Sequence, residues 1–443
     1  MRTLPTKLLS GAMVALTVLA CLSAARVQAE ERDAKLREQA LKLNKITGTE
    51  ARYGEQEKLL KDKAAAKKLV AEAARMAAEK PQPFNYNATL ILGAIAIDKK
   101  IKDYNAAETF YQLHLEQAKQ LRSAKGLMAG YGGLINAVYH KRNYAQTEKL
   151  CEEVSKNETL IAPLQNLAGE GKGADGEVKE LKSFISSVLE TQIKVIALQG
   201  DADRAIKMID RLLGEESDSW VALDLKGLVF RFAGKDEEAI KAYQDEIQQL
   251  KDDNDLKKKD KEEQLDNVRY SMSSVYIELG QVDKAAEQLK KLLEKHPDNP
   301  TYNNDLGYVW ADHDMNLAES EKLIRKALEE DRKQRQKKAK AKAKPEEIKE
   351  QGAYLDSLGW VLYKQKKYVE AKRYLRQAVQ NTMEEDDGNE SIEIYDHLGD
   401  VLMALGQKAE AVAVWKKGIE VAGDTKREQK RKEEVQKKIK ANK

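Results

Sequence analysis

Cysteine, proline, histidine and phenylalanine are all scarce in this chain of 443 residues, which contains 2 Cys, 7 Pro, 5 His and 5 Phe. Two cysteines, one of them near the start of the chain, cannot form a disulfide framework. Five scattered histidines argue against a histidine-rich metal site, and we expect no metal. Low proline content, with 34% charged and 42% apolar residues, favours a folded chain rich in helices over a disordered one.

The chain also lacks an excess of either charge once its first 29 residues are set aside. The formal charge of the whole sequence is +3. Residues 1–29 contain three basic residues and no acidic residue, so the remainder has equal numbers of both. A neutral chain is poorly suited to coating nucleic acid, because that affinity depends on neutralising phosphates. We therefore expect no specific nucleic-acid partner.

Residues 1–29 have the pattern of an export signal peptide. Lys7 precedes an apolar run from Leu8 to Ala25, and Val27 and Ala29 occupy the positions where a signal peptidase accepts small residues. We expect a periplasmic or secreted protein. The alternative is a membrane-anchored lipoprotein, since the segment before Cys21 loosely resembles a bacterial lipobox. A membrane partner is expected only if Cys21 is lipidated.

A small residue recurs inside successive apolar helices, and it marks an internal repeat. The marker residues are Gly227, Ser273, Gly307, Gly359 and Gly399. Ser273 and Gly307 are 34 residues apart, and the longer intervals contain charged insertions. One pair of amphipathic helices cannot bury its own apolar surface, so neighbouring pairs must stack.

The second helix of each unit carries a small residue that can approach the first helix closely. We expect Gly359 to lie against Ala371 where the two helices of one unit cross. Gly280 and Gly406 are expected to end first helices, and Pro297 to end a second helix.

These motifs resemble the signature of the tetratricopeptide repeat (TPR) family. The matching residues are Leu358, Gly359, Tyr363, Ala371 and Ala378 in one copy, and Leu398, Gly399, Ala411 and Trp415 in the next. Degenerate copies around Tyr104, Tyr144 and Ala205 extend the array to about eight units over residues 84–423.

The resemblance implies an all-α TPR-type α-solenoid, a right-handed superhelix of antiparallel helix pairs. It also implies a non-enzymatic scaffold that binds a protein or peptide, with no cofactor. The block from Asn304 to Trp360 looks especially like exported bacterial TPR proteins that act as envelope adaptors.

The sequence divides into segments by composition and by repeat quality. The expected segments are a signal peptide at 1–29, an N-terminal helical cap at 30–83, degenerate repeats at 84–213, repeats at 214–330, a basic insertion at 331–351, repeats at 352–423 and a charged C-terminal helix or tail at 424–443. Gly48 is expected to divide the cap into two helices.

In the family, first helices line a concave groove through positions two, five, nine and twelve of each unit. In the unit marked by Gly227 these positions hold Val221, Asp224, Leu228 and Arg231. The residues predicted to contact a partner are Tyr270, Asn304, Tyr308, Asp356, Trp360, Tyr363, Asp396 and Asp400. Trp360 and Tyr363 are the expected anchors, and the carboxylates would select a basic flank. The competing interpretation is that both aromatic residues are buried between adjacent units.

A run of eight basic residues without an acid forms a basic arm. Its members are Arg332, Lys333, Arg335, Lys337, Lys338, Lys340, Lys342 and Lys344. With the tail Lys426–Lys443, this arm supports an alternative function, which is attachment of a structural surface protein to an anionic polymer or lipid. The competing interpretation is a solvated extension of a helix.

Three further patterns are weak candidates for chemistry. The glycine-rich segment 169–173 lacks the spacing of a phosphate loop. Asp312 to Asp314, and Asp396 with His397 and Asp400, lack a third ligand at a zinc spacing. Cys151 is expected to be a buried small hydrophobe. No convergent set of titratable residues supports an enzyme.

The first prediction concerns processing. We expect the exported protein to begin at Glu30, because Val27 and Ala29 fit a signal peptidase better than Leu19 fits a lipobox. Intact-mass measurement of the exported protein tests this. A mass that corresponds to a chain starting at lipidated Cys21 would contradict it.

Overall fold

The computed structural model describes residues 31–170, 176–214, 219–338, 349–384, 391–422 and 426–442. The chain divides into two compact units, Met1–Gln199 and Gly200–Lys443. Unit 1 and unit 2 are described separately. The expected signal peptide, most of the glycine-rich segment 169–173, the side chain of Lys338, and Lys340, Lys342 and Lys344 lie outside the described residues. The described residues form helices and contain no strand.

Unit 1 opens with three helices that lie within the predicted cap and continues with longer ones. The helices are α1 (31–42), α2 (Thr49–Leu59), α3 (Lys63–Ala77), α4 (Tyr86–Ile97), α5 (Tyr104–Gln120), α6 (Ala124–His140), α7 (Tyr144–Ser155), α8 (Glu158–Glu170) and α9 (Gly176–Leu198). The prediction of two helices in the cap is wrong, because a second break after Leu59 gives three; Gly48, at a φ of +82°, precedes α2, and α3 ends before Pro81.

In unit 1, successive helices from α4 to α7 pack against one another, and α9 packs on α7. Aromatic residues fill the interfaces between neighbours. A β-carbon at Gly133 on α6 would lie only 2.2 Å from the ring of Tyr111 on α5. Tyr104 and Tyr144, around which degenerate copies are predicted, each begin a helix.

Unit 2 is a run of helix pairs preceded by α10 and followed by α21. The helices are α10 (Ala202–Leu213), α11 (Trp220–Phe232), α12 (Asp236–Asp252), α13 (Lys258–Glu278), α14 (Val282–Lys295), α15 (Pro300–Asp312), α16 (Leu317–Lys338), α17 (Gly352–Lys364), α18 (Tyr368–Glu384), α19 (Ile392–Ala404), α20 (Lys408–Val421) and α21 (Lys426–Ala441). Each helix from α10 to α21 packs on the next, and α15, α17, α19 and α21 also pack on one another in order. This stacking is that of an all-α solenoid.

The marker glycines lie where the two helices of a pair cross. A β-carbon at Gly227 would lie 2.4 Å from the Tyr243 ring, and one at Gly399 would lie 2.2 Å from Trp415. The second helices contribute fully buried alanines, among them Ala371. The small residues therefore permit the close approach that the repeat pattern predicts.

The predicted partner of Gly359 needs correction. The side chain nearest to a β-carbon at Gly359 is Leu375, at 2.4 Å, one turn after Ala371 in α18. Ala371 is fully buried, and its small side chain leaves room for the larger one that follows. The close contact is thus made by the residue four positions after the buried alanine, as it is with Ala411 and Trp415.

Helix ends follow the predicted signals. Gly280 and Gly406 have φ angles of +70° and +75° and follow the ends of α13 and α19. Glycine adopts this left-handed conformation without the steric cost that a β-carbon imposes. Helix α14 ends at Lys295, two residues before Pro297.

One charged insertion between marker residues, Lys251–Glu263, is partly helical, because it forms the first turns of α13, which begins at Lys258. The division into compact units after Gln199 does not test the predicted change from degenerate to regular repeats after residue 213, which stays a prediction.

Substitution of Gly359 tests the crossing. We expect Gly359→Ala to cost about 1–3 kcal/mol, because the added methyl group must displace Leu375. The matched control is Gly54→Ala in α2, where a β-carbon meets no atom within 4 Å, and helix propensity should there stabilise by up to about 1 kcal/mol. Hydrogen exchange at amides of α17, α18 and α2 measures both effects. If Gly359→Ala stabilised the protein as much as Gly54→Ala does, a close approach of α17 and α18 at Gly359 would be contradicted.

Candidate functional site

The first-helix face is defined as the surface of unit 2 formed by positions two, five, nine and twelve of the repeat units whose first helices are α11, α13, α15, α17 and α19; in the unit of α13 these positions hold Asn267, Tyr270, Ser274 and Ile277. All the residues predicted to contact a partner belong to it. Their burial and their bonds within the chain decide which part of the face is open to a partner.

Trp360 is not an open anchor on this face. Its side chain is only 7% exposed, and its indole Nε1 donates a hydrogen bond to Asp312 Oδ1 at 3.0 Å. One ring face stacks on His397 at 4.0 Å between centroids, and Tyr363 stacks at 5.0 Å. The structure therefore corrects the expectation that Trp360 faces an open groove, and it places this residue between α17 and its neighbours.

Asp356 is also buried, and its partner is within the chain. His397 Nδ1 lies 3.0 and 3.1 Å from the two carboxylate oxygens of Asp356. Burial raises the pKa of Asp356, although the contact with His397 opposes that shift. Burial lowers the pKa of His397, but Asp356 outweighs it, and the net shift is upward. The pair links α17 to α19 and is not exposed to a partner.

The carboxylates on α19 are neutralised by the last helix of the chain. Asp396 is 1% exposed and accepts hydrogen bonds from Lys438 Nζ at 2.7 Å and Arg431 Nη1 at 3.1 Å. Lys438 also bonds Asp400 at 2.8 Å. Burial and the neighbouring Asp396 raise the pKa of Asp400, and Lys438 opposes this shift. The basic flank predicted to come from a partner is thus supplied by α21.

The tyrosines of the face use their hydroxyl groups within the chain. Tyr308 donates to Glu393 on α19, and burial together with Glu393 raises its pKa well above the ordinary value. Tyr270 donates to Asp305 Oδ2 at 2.8 Å, and Asn304 donates to the other oxygen of Asp305 at 3.2 Å. Asn304 is 7% exposed, whereas Tyr270, Tyr308 and Tyr363 are half-buried.

The open part of the face lies at α11. Val221 is 40% exposed and Leu228 is 36% exposed, and the seven-residue interval places both on one side of the helix. Asp224, between them, is also exposed. The repeat pattern places these three residues on the first-helix face, but the search for aromatic anchors selects α17 instead of α11. Exposed aliphatic residues at two groove positions are the signal that identifies α11.

Three basic residues of the described part of the arm pair with nearby acids, and Lys337 is exposed. Arg332 bonds Glu350, Lys333 bonds Glu329 and Glu330 at 2.7 and 2.8 Å, and Arg335 bonds Asp331 at 2.7 Å. Helix α16 continues through this segment to Lys338. The arm is therefore the end of a helix over its described part.

Other groups offer little chemistry. Among the described residues, no three His, Cys, Asp or Glu side chains lie together as a metal would require. Cys151 is fully buried, and burial, with Glu148 nearby, raises the pKa of its thiol to about 12, which leaves it unreactive. In the part of the chain that the structure covers, no helix is long and apolar enough to cross a membrane.

Comparison with known proteins identifies the repeats. Family models described as tetratricopeptide repeat match residues 270–335, 352–380 and 392–425, which lie within α13 to α20 and the residues that follow. Over 190 residues, or 43% of this chain, the sequence is 28% identical to TPR repeat-containing protein PA4667 of Pseudomonas aeruginosa. The match spans 27% of that protein, so the chain covers about a quarter of the length of this curated relative.

Solved structures similar to this chain include a tetratricopeptide repeat protein from Parabacteroides merdae, with 17% identity and a TM-score of 0.39 over 57% of this chain and 91% of that one. A MamA protein has 17% identity and a TM-score of 0.31, covering 47% of this chain and 92% of its own. MamA of Desulfovibrio magneticus has 14% identity and a TM-score of 0.33, covering 46% and 94%.

This chain therefore carries tetratricopeptide repeats, which confirms the TPR resemblance of its motifs, whereas the closer likeness to exported envelope adaptors stays a prediction. Its fold is that of a protein-interaction scaffold, a class that is typically non-catalytic.

Truncation of Trp360 tests its placement. We expect Trp360→Ala to destabilise unit 2 by about 3–5 kcal/mol, because it removes a buried ring and leaves Asp312 without its indole partner. Val369→Ala is the control, since Val369 is 76% exposed and its truncation should change stability by less than about 0.5 kcal/mol. Denaturant unfolding measures both. A Trp360→Ala chain as stable as the control would show that this ring contributes nothing to the stack.

Proposed function

We propose that this protein is a non-enzymatic scaffold of the bacterial cell envelope that binds a partner protein or peptide through the first-helix face at α11. The observation that carries the proposal is the exposure of Val221 and Leu228 on one side of α11. Exposed aliphatic side chains arranged on a folded repeat are typical of interaction surfaces.

The contrast with the rest of the face supports this location. Trp360, Asp356 and Asp396 are almost completely buried and bonded within the chain, so they have no surface to offer. A partner that covers Val221 and Leu228 would remove apolar area from water without breaking existing hydrogen bonds.

The charges around α11 indicate the kind of partner. Asp224 lies between the two aliphatic residues, and Arg231 at the end of the row is already paired with Glu278 at 3.1 Å. This arrangement suits a peptide or helix with apolar residues that contact Val221 and Leu228 and a basic or polar residue between them.

The envelope location rests on the leader, whose basic start, apolar run and small residues at 27 and 29 have the pattern of an export signal. Processing at Glu30 favours a periplasmic or secreted protein, and lipidation of Cys21 would instead favour a membrane-anchored one. Either location is consistent with an exported scaffold.

Attachment to an anionic polymer or lipid through the basic arm and tail is the alternative function. It receives less support, because Arg332, Lys333 and Arg335 pair with acids of the same chain. Arg431 and Lys438 of the tail are likewise paired. Such attachment would weaken steeply between low and moderate salt, whereas apolar docking would largely persist.

Aspartate substitution at Val221 tests the proposed surface. We expect Val221→Asp to reduce capture of the specific partner from an envelope extract by about tenfold or more, because it places a charge within an apolar contact. The matched control is Val369→Asp, which makes the same change on α18 at a residue that is 76% exposed. Quantitative mass spectrometry compares the captured proteins at moderate salt.

The expected result is a set of proteins that wild type and Val369→Asp both retain and Val221→Asp loses. Identical sets for all three chains would contradict a binding surface at α11. Loss of every captured protein on raising the salt, with no effect of Val221→Asp, would favour the electrostatic alternative.

A further inference from the structure

The last helix of the chain is bound to the stack by one narrow stripe of side chains. Val435 is fully buried and Ile439 is 7% exposed, and both belong to the apolar core shared with α19 and α20. Arg431 and Lys438 lie on the same side of α21, since residues three, four, seven and eight positions apart share one face of a helix.

The basic residues of this stripe meet a compact acidic group on α19, here called the acidic trio and consisting of Glu393, Asp396 and Asp400. Arg431 bonds Glu393 and Asp396, each at 3.1 Å, and Lys438 bonds Asp396 and Asp400 at 2.7 and 2.8 Å. The stripe therefore begins with the basic residue Arg431, continues with the apolar Val435 four positions later, and ends with the basic–apolar pair Lys438 and Ile439, which starts three positions after Val435.

The side of α21 opposite this stripe is polar and exposed. Lys430, Glu433, Glu434 and Lys437 are exposed. A polar helix of this length is barely stable by itself, so its helical form depends on the two apolar contacts and the ion pairs. Arg431 and Lys438 remain 20% and 32% exposed in their side chains, which lets salt and competing charges reach the ion pairs.

We propose that the acidic trio and the apolar contact beside it form a second binding site, which takes a basic amphipathic helix of a partner protein, and that α21 is its built-in, displaceable occupant. The site is distinct from the α11 surface and does not depend on it. As a tethered segment, α21 competes at an effective concentration on the order of millimolar, so only a helix that matches its pattern well displaces it.

The test uses the full chain and a fluorescent peptide that corresponds to residues 426–442. Fluorescence anisotropy gives its affinity for wild type, for R431E/K438E, in which the tethered helix has lost its ion pairs, and for K430E/K437E. The last variant has the same net charge change on the exposed side of α21. We expect R431E/K438E to bind the peptide at least tenfold more tightly than wild type, and K430E/K437E to bind it as wild type does.

Peptide variants separate the proposed recognition from general charge attraction. A peptide with Arg431→Glu and Lys438→Glu should bind none of the chains, whereas a peptide with Lys430→Glu and Lys437→Glu should bind like the native peptide. If R431E/K438E is not folded by circular dichroism, the neutral variant R431Q/K438Q takes its place, with the same expected gain.

Three outcomes would overturn the proposal. Equal peptide affinity for wild type and the released chain would show that α21 does not compete for a site. Equal binding of the two charge-matched peptides would show that binding is not specific to the stripe. Dimerisation of the wild-type chain that R431E/K438E abolishes would assign the site to α21 of a second copy rather than to a partner protein.

Discussion

The close crossing of two helices at a small residue is the contact on which the stack depends. Gly359 approaches Leu375, and Gly399 approaches Trp415, at distances that leave no space for a β-carbon. This crossing covers only one face of each helix, so the other apolar face of a pair must be covered by the next pair. Each pair is consequently stabilised by its neighbours, and α21, which has one polar side, covers the last pair among the described residues.

The same closeness determines which part of the first-helix face is open. First helices lie near enough that Trp360 on α17 stacks on His397 of α19, and Tyr308 on α15 bonds Glu393 beyond α17. Aromatic and acidic residues in these positions satisfy one another across successive pairs. Aliphatic residues such as Val221 and Leu228 have no hydrogen bonds to make, and on α11 they remain exposed.

The fold could be predicted from the sequence because its determinants are local and repeat. A marker glycine, a buried alanine in the second helix and a glycine at the helix end are all set by the sequence of one unit, and only the residue that contacts Gly359 differs from its prediction. The site could not be predicted in the same way. Trp360 bonds Asp312 48 residues earlier, and Asp396 bonds Lys438 42 residues later. Position within a unit indicates the face on which a residue lies, but not which distant side chain covers it.

Charge explains why α21 binds the stack through a basic stripe rather than through a wholly apolar face. Asp396 and Asp400 are one turn apart on α19, where like charges repel, and the burial of Asp396 is unfavourable without a cation. Lys438 bonds both carboxylates, and Arg431 bonds Asp396 as well. The basic side chains of α21 thus neutralise the acidic side chains of α19. A helix with a wholly apolar face would bury more apolar area, but its release would expose an apolar patch that promotes aggregation. A helix with two apolar side chains and a charged stripe remains compatible with water whether bound or released. The contact between α21 and the stack therefore combines a small apolar area with ion pairs that salt can screen.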